Sequence, residues 1–216
     1  MVISIPDAIS NFFKTYRLSR YAKGQIFLLE GEKADYIYYL EEGRVKIYTV
    51  SYRGDDVVLY IHKPPDVFPI SNLLNQNMSD YIYEADTETV VRRAPMHEMK
   101  KLIESQPAVA LGLLKQAHEY ISYFLEKQAA LMDGSAKRKL IYELVAQYRR
   151  FHTDNTNDEY LLDIHEKELA ARTGLSRETV NREIRKLKRE NLIALIHHRI
   201  VIPSITGLEA KLRQSR

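Results

Sequence analysis

The sequence predicts an α+β chain in two parts: an N-terminal antiparallel β-barrel or sandwich that ends in a long helix, then a helical domain built around a helix-turn-helix. Three observations carry this. Between Leu18 and Arg93, short runs rich in β-branched residues and tyrosine are punctuated by Gly24, Gly31, Gly43, Gly54 and Pro64-Pro65, the cadence of an antiparallel β domain. From Pro107 to about Met132 apolar residues recur at helical spacing. From His165 to Leu195 two short helical patterns flank Gly174, and the second has a charged face.

Taken in order, Pro6 to Tyr16 reads as a leading helix with Ile9, Phe12 and Phe13 on one face. Strands are expected at Gln25–Glu30, Tyr36–Glu41, Arg44–Ser51, Asp56–His62 and Glu88–Arg93, and a short helix at 97–105. In the long helix Ala110, Leu114, Ala117, Ile121, Phe124, Gln128 and Leu131 recur at spacings of 4, 3, 4, 3, 4 and 3, a coiled-coil seam able to pack against a second copy. The competing reading is that the helix packs only on its own barrel, since Leu113, Tyr120 and Leu125 offer a second apolar side. Asp133-Gly134-Ser135 interrupts the pattern with a hinge and a fresh N-cap, so the domains are set at 1–132 and 133–216. Ala136 to Phe151 resumes as a helix, and His152 to Asp158 is a polar loop by composition.

Charge is divided along the same line. Residues 133–216 carry 17 Lys and Arg against 12 Asp and Glu, whereas 1–132 carry 15 against 17. The basic half is the one with the helix-turn-helix, as attraction to nucleic-acid phosphates requires. Cysteine is absent, which excludes disulfides, cysteine-held iron–sulfur clusters and thiolate switches. No apolar run approaches the roughly 20 residues that cross a bilayer, and the N-terminus lacks a secretory pattern, so no membrane partner and a cytoplasmic location are expected. There is no phosphate loop, nucleophile elbow or metal-ligand spacing.

At 100° per residue, setting Arg177 at zero puts Asn181, Arg185, Glu178 and Arg182 at about 40°, 80°, 100° and 140°, while Val180, Ile184 and Leu187 fall at about 280–340°. The apolar stripe is expected to pack on Glu166–Arg172 through Leu169, Ala170 and Ala171, with Ser176 as N-cap. Arginine matches the O6 and N7 acceptors of guanine, and a carboxylate accepts from cytosine N4. Arg177, Glu178, Asn181 and Arg182 are therefore the candidate base-reading residues; Ser176, Thr179, Arg185, Lys188 and Arg189 are assigned to phosphates.

Ser176-Arg177-Glu178-Thr179-Val180-Asn181-Arg182 resembles the recognition helix of the cyclic-AMP receptor protein and fumarate–nitrate regulator (CRP/FNR) family. The likeness continues through Asn191-Leu192-Ile193 into a short wing, Ala194 to Ile202, with His197-His198-Arg199 at its tip. Gly24 to Thr49 is similar to the first strands of that family's cupin-like sensor barrel. The resemblance implies a cyclic-nucleotide-binding-like domain, a dimerisation helix, a winged helix-turn-helix and a TGTGA-like palindromic site on double-stranded DNA; the 152–158 loop matches one that can touch RNA polymerase in the family, the alternative being a solvated connector. Asn181 departs from the small residue often found there.

The family's cyclic-phosphate cassette is a Gly-Glu pair followed by an Arg-Ser pair; aligned through Pro65-Asp66-Val67-Phe68, this chain has Pro69-Ile70 and Asp80-Tyr81 instead. A carboxylate at Asp80 repels the phosphate that an arginine would hold. No cyclic-nucleotide binding, no cofactor and no metal are expected, and any effector is an unfamiliar one. His62, His97 and His118 are read as surface or satisfied core residues rather than haem ligands. The alternative from another class is a barrel-based enzyme or small-molecule binder with an incidental helical tail.

Overall fold

A computed structural model describes residues 7–52, 54–75, 78–132, 135–152, 160–162, 164, 166–196 and 199–214. The chain divides into two compact units, Met1–Tyr123 and Phe124–Arg216. That division falls within the long helix; Asp133 and Gly134, where the sequence sets the hinge, lie outside the described residues.

The first unit opens with α1 (Asp7–Lys14), followed by β1 (Leu18–Tyr21), β2 (Ile26–Leu28), β3 (Tyr36–Glu42), β4 (Val45–Val50), β5 (Asp56–His62) and β6 (Asp66–Phe68). A short helix α2 (Ile70–Asn75) precedes β7 (Ile82–Ala85) and β8 (Thr89–Pro95), and then α3 (Met96–Ser105) leads into α4 (Pro107–Met132). The strands pair antiparallel in two four-stranded sheets, β1-β8-β3-β6 and β2-β7-β4-β5. The expected barrel is thus a jelly-roll-like pair of sheets rather than a closed ring. Three of the four edge strands, β1, β2 and β6, are only three or four residues long, which leaves little backbone for pairing across the edges.

Alternation along β3 explains how this unit is layered. Ile37 and Tyr39 face one way, into a cluster with Ile9, Phe13, Val67, Met99, Val109 and Leu113, so α1, α3 and the start of α4 cover that face. Tyr38 and Leu40 face the other way, into the core shared by both sheets with Leu28, Val45, Phe68, Tyr83 and Val91. The strands β1, β6 and β7 and the helix α2 do not show in the sequence pattern, because three to six residues are too few to display a period.

Gly43, between β3 and β4, has φ of 84°, and a Cβ there would lie 2.2 Å from the Glu88 carbonyl oxygen and 2.8 Å from the Thr89 Cα. Both neighbours are backbone and cannot swing aside. Gly43→Ala is expected to destabilise the protein by about 2–4 kcal/mol, combining left-handed strain with the clash. Gly174→Ala, at φ of 66° with nothing within 4 Å of the added carbon, meets the strain alone and is expected to cost about 1–2 kcal/mol. Thermal unfolding of the two variants checks the ordering.

Helix α4 carries two stripes, one residue out of phase. Val109, Leu113, Gln116, Lys127 and Ala130 are buried, with Tyr120 and Tyr123 half-buried in the same row. The predicted seam faces elsewhere: Leu114 is 65% exposed, Ile121 58% and Phe124 50%, with Gln128 exposed and Ala110, Ala117 and Leu131 half-buried. Packing on the chain's own unit therefore uses a different row of side chains from the coiled-coil seam.

The second unit continues with α5 (Ala136–Phe151), β9 (Tyr160–Leu162), α6 (Glu166–Thr173), α7 (Arg177–Arg189), β10 (Ala194–Ile196), β11 (Arg199–Ile202) and α8 (Ile205–Gln214). Its antiparallel sheet runs β10-β11-β9. Ser135 caps α5 by accepting the Arg138 backbone N–H at 3.1 Å. Leu140, Ile141, Leu144 and Val145 of α5 meet Leu169, Val180, Ile184, Leu187, Ile200, Ile202 and Leu208 in one core. The strand β9 and the helix α8 are additions to the sequence reading.

Candidate nucleic-acid interface

The pair α6–α7 is joined through Gly174, whose N–H closes α6 on the Ala170 carbonyl at 2.9 Å and whose positive φ reverses the chain. Ser176 then starts α7 in extended geometry, accepting the Thr179 N–H at 3.2 Å and donating its own proton to Thr179 Oγ1 at 3.0 Å. Val180 and Leu187 are fully buried and Ile184 nearly so, which fixes the rotation of α7 about its axis. Arg177, Glu178, Arg182, Arg185, Lys188 and Arg189 are consequently exposed, while Thr179 and Asn181 are half-buried. Strands β10 and β11 form the wing beside them; its tip, His197-His198, lies outside the described residues.

One residue of this face was not legible in the sequence. Glu183 is 3% exposed, yet it sits between two exposed cations. Its Oε1 accepts from Arg182 Nε at 3.2 Å and from Lys186 Nζ at 2.9 Å. Burial pushes the Glu183 carboxyl up, but the bonds from Lys186 and Arg182 outweigh it and hold its pKa below the usual value. Arg182 is anchored through Nε while its side chain stays 61% exposed. The angular plot had the signal: Glu183 falls at about 240°, on the flank of the apolar stripe.

Behind α6 lies a buried charge cluster. Arg172, 4% exposed, pairs with Glu168 and approaches Glu143 Oε1 at 3.7 Å; Gln147 donates to the same oxygen at 2.7 Å. Lys127 of α4 is 7% exposed, and desolvation lowers its pKa while Glu143 pulls the other way and Arg172 reinforces the fall. At the other end of α7, Lys137 Nζ meets Glu190 Oε1 at 2.5 Å and holds that carboxyl below its ordinary range.

In the first unit, the cassette positions differ in exposure: Pro69 is buried, Ile70 half-buried, Asp80 and Tyr81 exposed. The space between the sheets is filled by the chain's own rings. Phe68 stacks on Tyr38 at 5.2 Å, on His62 at 5.1 Å and on Tyr83 at 5.9 Å. His62 is 1% exposed with Nδ1 2.7 Å from Asp66 Oδ2, while Gln116 and Tyr120 of α4 both donate to Asp66 Oδ1. Burial pushes the Tyr83 and Tyr38 hydroxyls up to about 12, so both stay neutral at physiological pH. Among the described residues no group of three or more His, Asp or Glu could hold a metal, and no helix is long and apolar enough to cross a membrane.

A jelly-roll unit, a long helix and a winged helix-turn-helix with a cationic outer face define a DNA-binding regulator. Residues 18–106 match the cyclic nucleotide-binding domain family, and residues 138–211 match the Crp-like helix-turn-helix domain family. The chain is 29% identical over 198 residues to the transcriptional regulator LdrP of Thermus thermophilus, covering 89% of this chain and 95% of that one. It is 26% identical to the HTH-type transcriptional regulator ArcR of Staphylococcus aureus, covering 90% and 84%. The fold is shared with the c-di-GMP-responsive global regulator CLP of Xanthomonas campestris, at a TM-score of 0.80 and 17% identity over 91% of this chain and 98% of that one. A CRP-family regulator of Thermus thermophilus matches at a TM-score of 0.70 and 27% identity over 90% and 96%. The chain belongs to the CRP/FNR family of DNA-binding transcription regulators.

Proposed function

We propose that this regulator acts as a homodimer on a TGTGA-like palindrome, reading it with Arg177, Glu178, Asn181 and Arg182, and that cyclic AMP does not control it at the usual pocket. The observation that carries the reading is the exposure of Arg177, Glu178 and Arg182 on a helix whose opposite side is clamped in the core. Arginine forks aimed at guanine and a carboxylate aimed at cytosine N4 suit a G·C-containing half-site. Arg185, Lys188 and Arg189, exposed on the same helix, suit the flanking phosphates. Ser176 and Thr179 are already bonded to each other, so their phosphate contacts draw on remaining lone pairs and backbone N–H groups. Contact with RNA polymerase through the 152–158 loop and a domain boundary at 132/133 belong to the same proposal; residues 153–159 and 133–134 lie outside the described residues.

Two features support independence from cyclic AMP. Asp80 supplies negative charge where the phosphate needs positive, and the His62, Phe68 and Tyr83 rings with the Asp66–Gln116–Tyr120 cluster occupy the interior. Calorimetry with cyclic AMP is expected to show no saturable heat up to millimolar ligand, and a micromolar dissociation constant refutes this part. The DNA part is tested by titrating a palindromic TGTGA duplex against a random one across a salt series. Arg177→Ala is expected to lose about 1–3 kcal/mol on the palindrome with a much smaller change on random DNA. Equal losses on both make Arg177 a phosphate contact and overturn its role as a reader.

A further inference from the structure

A second feature of the first unit lies at the rim of its sheets. An open groove of about 670 Å³ is lined by Tyr16, Arg17, Ser19, Arg20, Tyr36 and Arg93, with Leu18 and Pro95 completing it. Its walls come from the turn after α1, the edge strand β1, the start of β3 and the end of β8. The register sets the arrangement: Leu18, the first residue of β1, pairs with Arg92, and Tyr38 pairs with Arg93, so Arg17 and Arg93 each adjoin that pair and both line the groove. Tyr38 lies inward in the core, while Tyr36, two residues back on the same side of β3, is 40% exposed at the rim.

The groove concentrates guanidinium charge in a half of the chain that carries more acidic than basic residues. Arg17 and Arg93 have no carboxylate within 4 Å among the described residues, and Arg20 is only loosely held by exposed Glu88 at 3.9 Å. Glu98, the carboxylate that acts on Tyr16, is already bonded by Lys101 at 3.1 Å and by His97 at 3.0 Å. Arg93 lies over the Tyr36 ring, 4.4 Å from its centroid, and is also bonded to the Tyr38 hydroxyl, which together hold it at the rim. The rim is braced from behind: Arg92 donates to the Tyr16 carbonyl at 2.6 Å and bonds Glu41 at 2.5 Å, pinning the α1–β1 turn. Like charges lining one groove repel one another, and a bound anion relieves that repulsion.

We infer that this groove is a binding site for a phosphorylated small molecule carrying at least two negative charges. Planar guanidiniums give two parallel N–H bonds to a phosphate, the Tyr16 and Ser19 hydroxyls can donate to further oxygens, and the volume lies within the range of small-ligand sites. None of the cassette positions Pro69, Ile70, Asp80 and Tyr81 lines the groove.

Inorganic pyrophosphate is the probe, titrated calorimetrically into the full-length protein in the absence of DNA at about 0.1 M salt. The expected result is saturable binding, one per chain, weakened at least tenfold by Arg17→Gln and by Arg93→Gln and unchanged by Lys115→Gln, an exposed charge outside the groove. Arg93→Lys keeps the charge but loses the fork, and is expected to lose several-fold. Circular dichroism and melting temperature confirm that each variant is folded. No saturation overturns the assignment outright, and so does binding that survives both arginine substitutions, since the anion is then held elsewhere, including on α7. Citrate binding as tightly as pyrophosphate overturns the choice of phosphate. Binding of a polyglutamate peptide with no pyrophosphate affinity makes the groove a protein contact and overturns the small-molecule reading.

Discussion

Replacing Ile121 by aspartate is expected to dissociate the proposed dimer and, with it, tight binding to a two-half-site operator. Ile121 is 58% exposed in the single chain and lies midway along the row of Leu114, Ala117, Phe124 and Gln128. In a two-fold seam each such residue is buried against its counterpart, so one substitution introduces two carboxylates facing each other in an apolar contact. Desolvating an unpaired carboxylate costs several kcal/mol, and about 3 kcal/mol already weakens association more than a hundredfold. Sedimentation equilibrium is expected to show dimer for the wild type and monomer for Ile121→Asp at micromolar concentration. Affinity for a single half-site should stay within a few-fold, because α7 and its supporting core lie in the other unit. Lys115→Asp, about 120° away around the same helix, makes a charge change of similar kind off the seam and should leave the dimer intact. A dimer that persists in Ile121→Asp with unchanged dissociation constant removes the seam from the interface and returns the competing reading, in which α4 serves only its own chain.

The same helix shows which features a sequence makes legible. Its outward row is almost wholly apolar, so periodicity alone picks it out. The inward row, Val109, Leu113, Gln116, Tyr120, Tyr123, Lys127 and Ala130, follows the same 4-3 spacing one residue earlier, but its polar members hide it. Gln116 and Tyr120 are inside because Asp66 waits there, 50 and 54 residues back in the chain, and no local pattern conveys that. The same holds for Glu143, Arg172 and Glu183: charged residue types are read as exposed by default, and only a tertiary partner reverses the default. Long periodic elements such as Asp56–His62, Pro107–Met132 and Ala136–Phe151 were clear from sequence, as were Gly174 and Ser176 at the helix-turn-helix. The groove around Arg17 and Arg93 was not, since it depends on the β1–β8 register and β1 itself is too short to show a pattern. Glu183 is an intermediate case, visible as an angle but not as a bond.

The charge cluster behind α6 carries the largest expected effect on folding. Arg172→Ala is expected to destabilise the second unit by about 3–5 kcal/mol, because it removes the guanidinium while leaving Glu143 at 2% exposure, with the neutral Gln147 amide still donating to it. Glu168, on the same helix turn, is more accessible and can recover water, so most of the loss falls on Glu143. Lys127 compensates only in part: Glu143 attracts its charge, but desolvation lowers its pKa, so that charge itself costs stability at neutral pH, and the cost eases only as pH rises through that pKa toward the unfolded value. Removing Arg172 also removes one of the causes of that lowering, so the Lys127 pKa should rise in the variant. Arg172→Met combined with Glu143→Leu deletes this buried pair together and is expected to recover part of the lost stability, the buried Lys127 charge, now without Glu143, limiting the recovery. Thermal and urea unfolding of the two variants make the comparison. A single variant within about 1 kcal/mol of wild type, or a double variant no better than the single, means that the cluster is already solvated or that Arg172 acts mainly by filling space. If the expected order holds, α4, α5 and α6 are joined within this unit by charge neutralisation at one buried point, and the set of the recognition helix α7 against that frame depends on it.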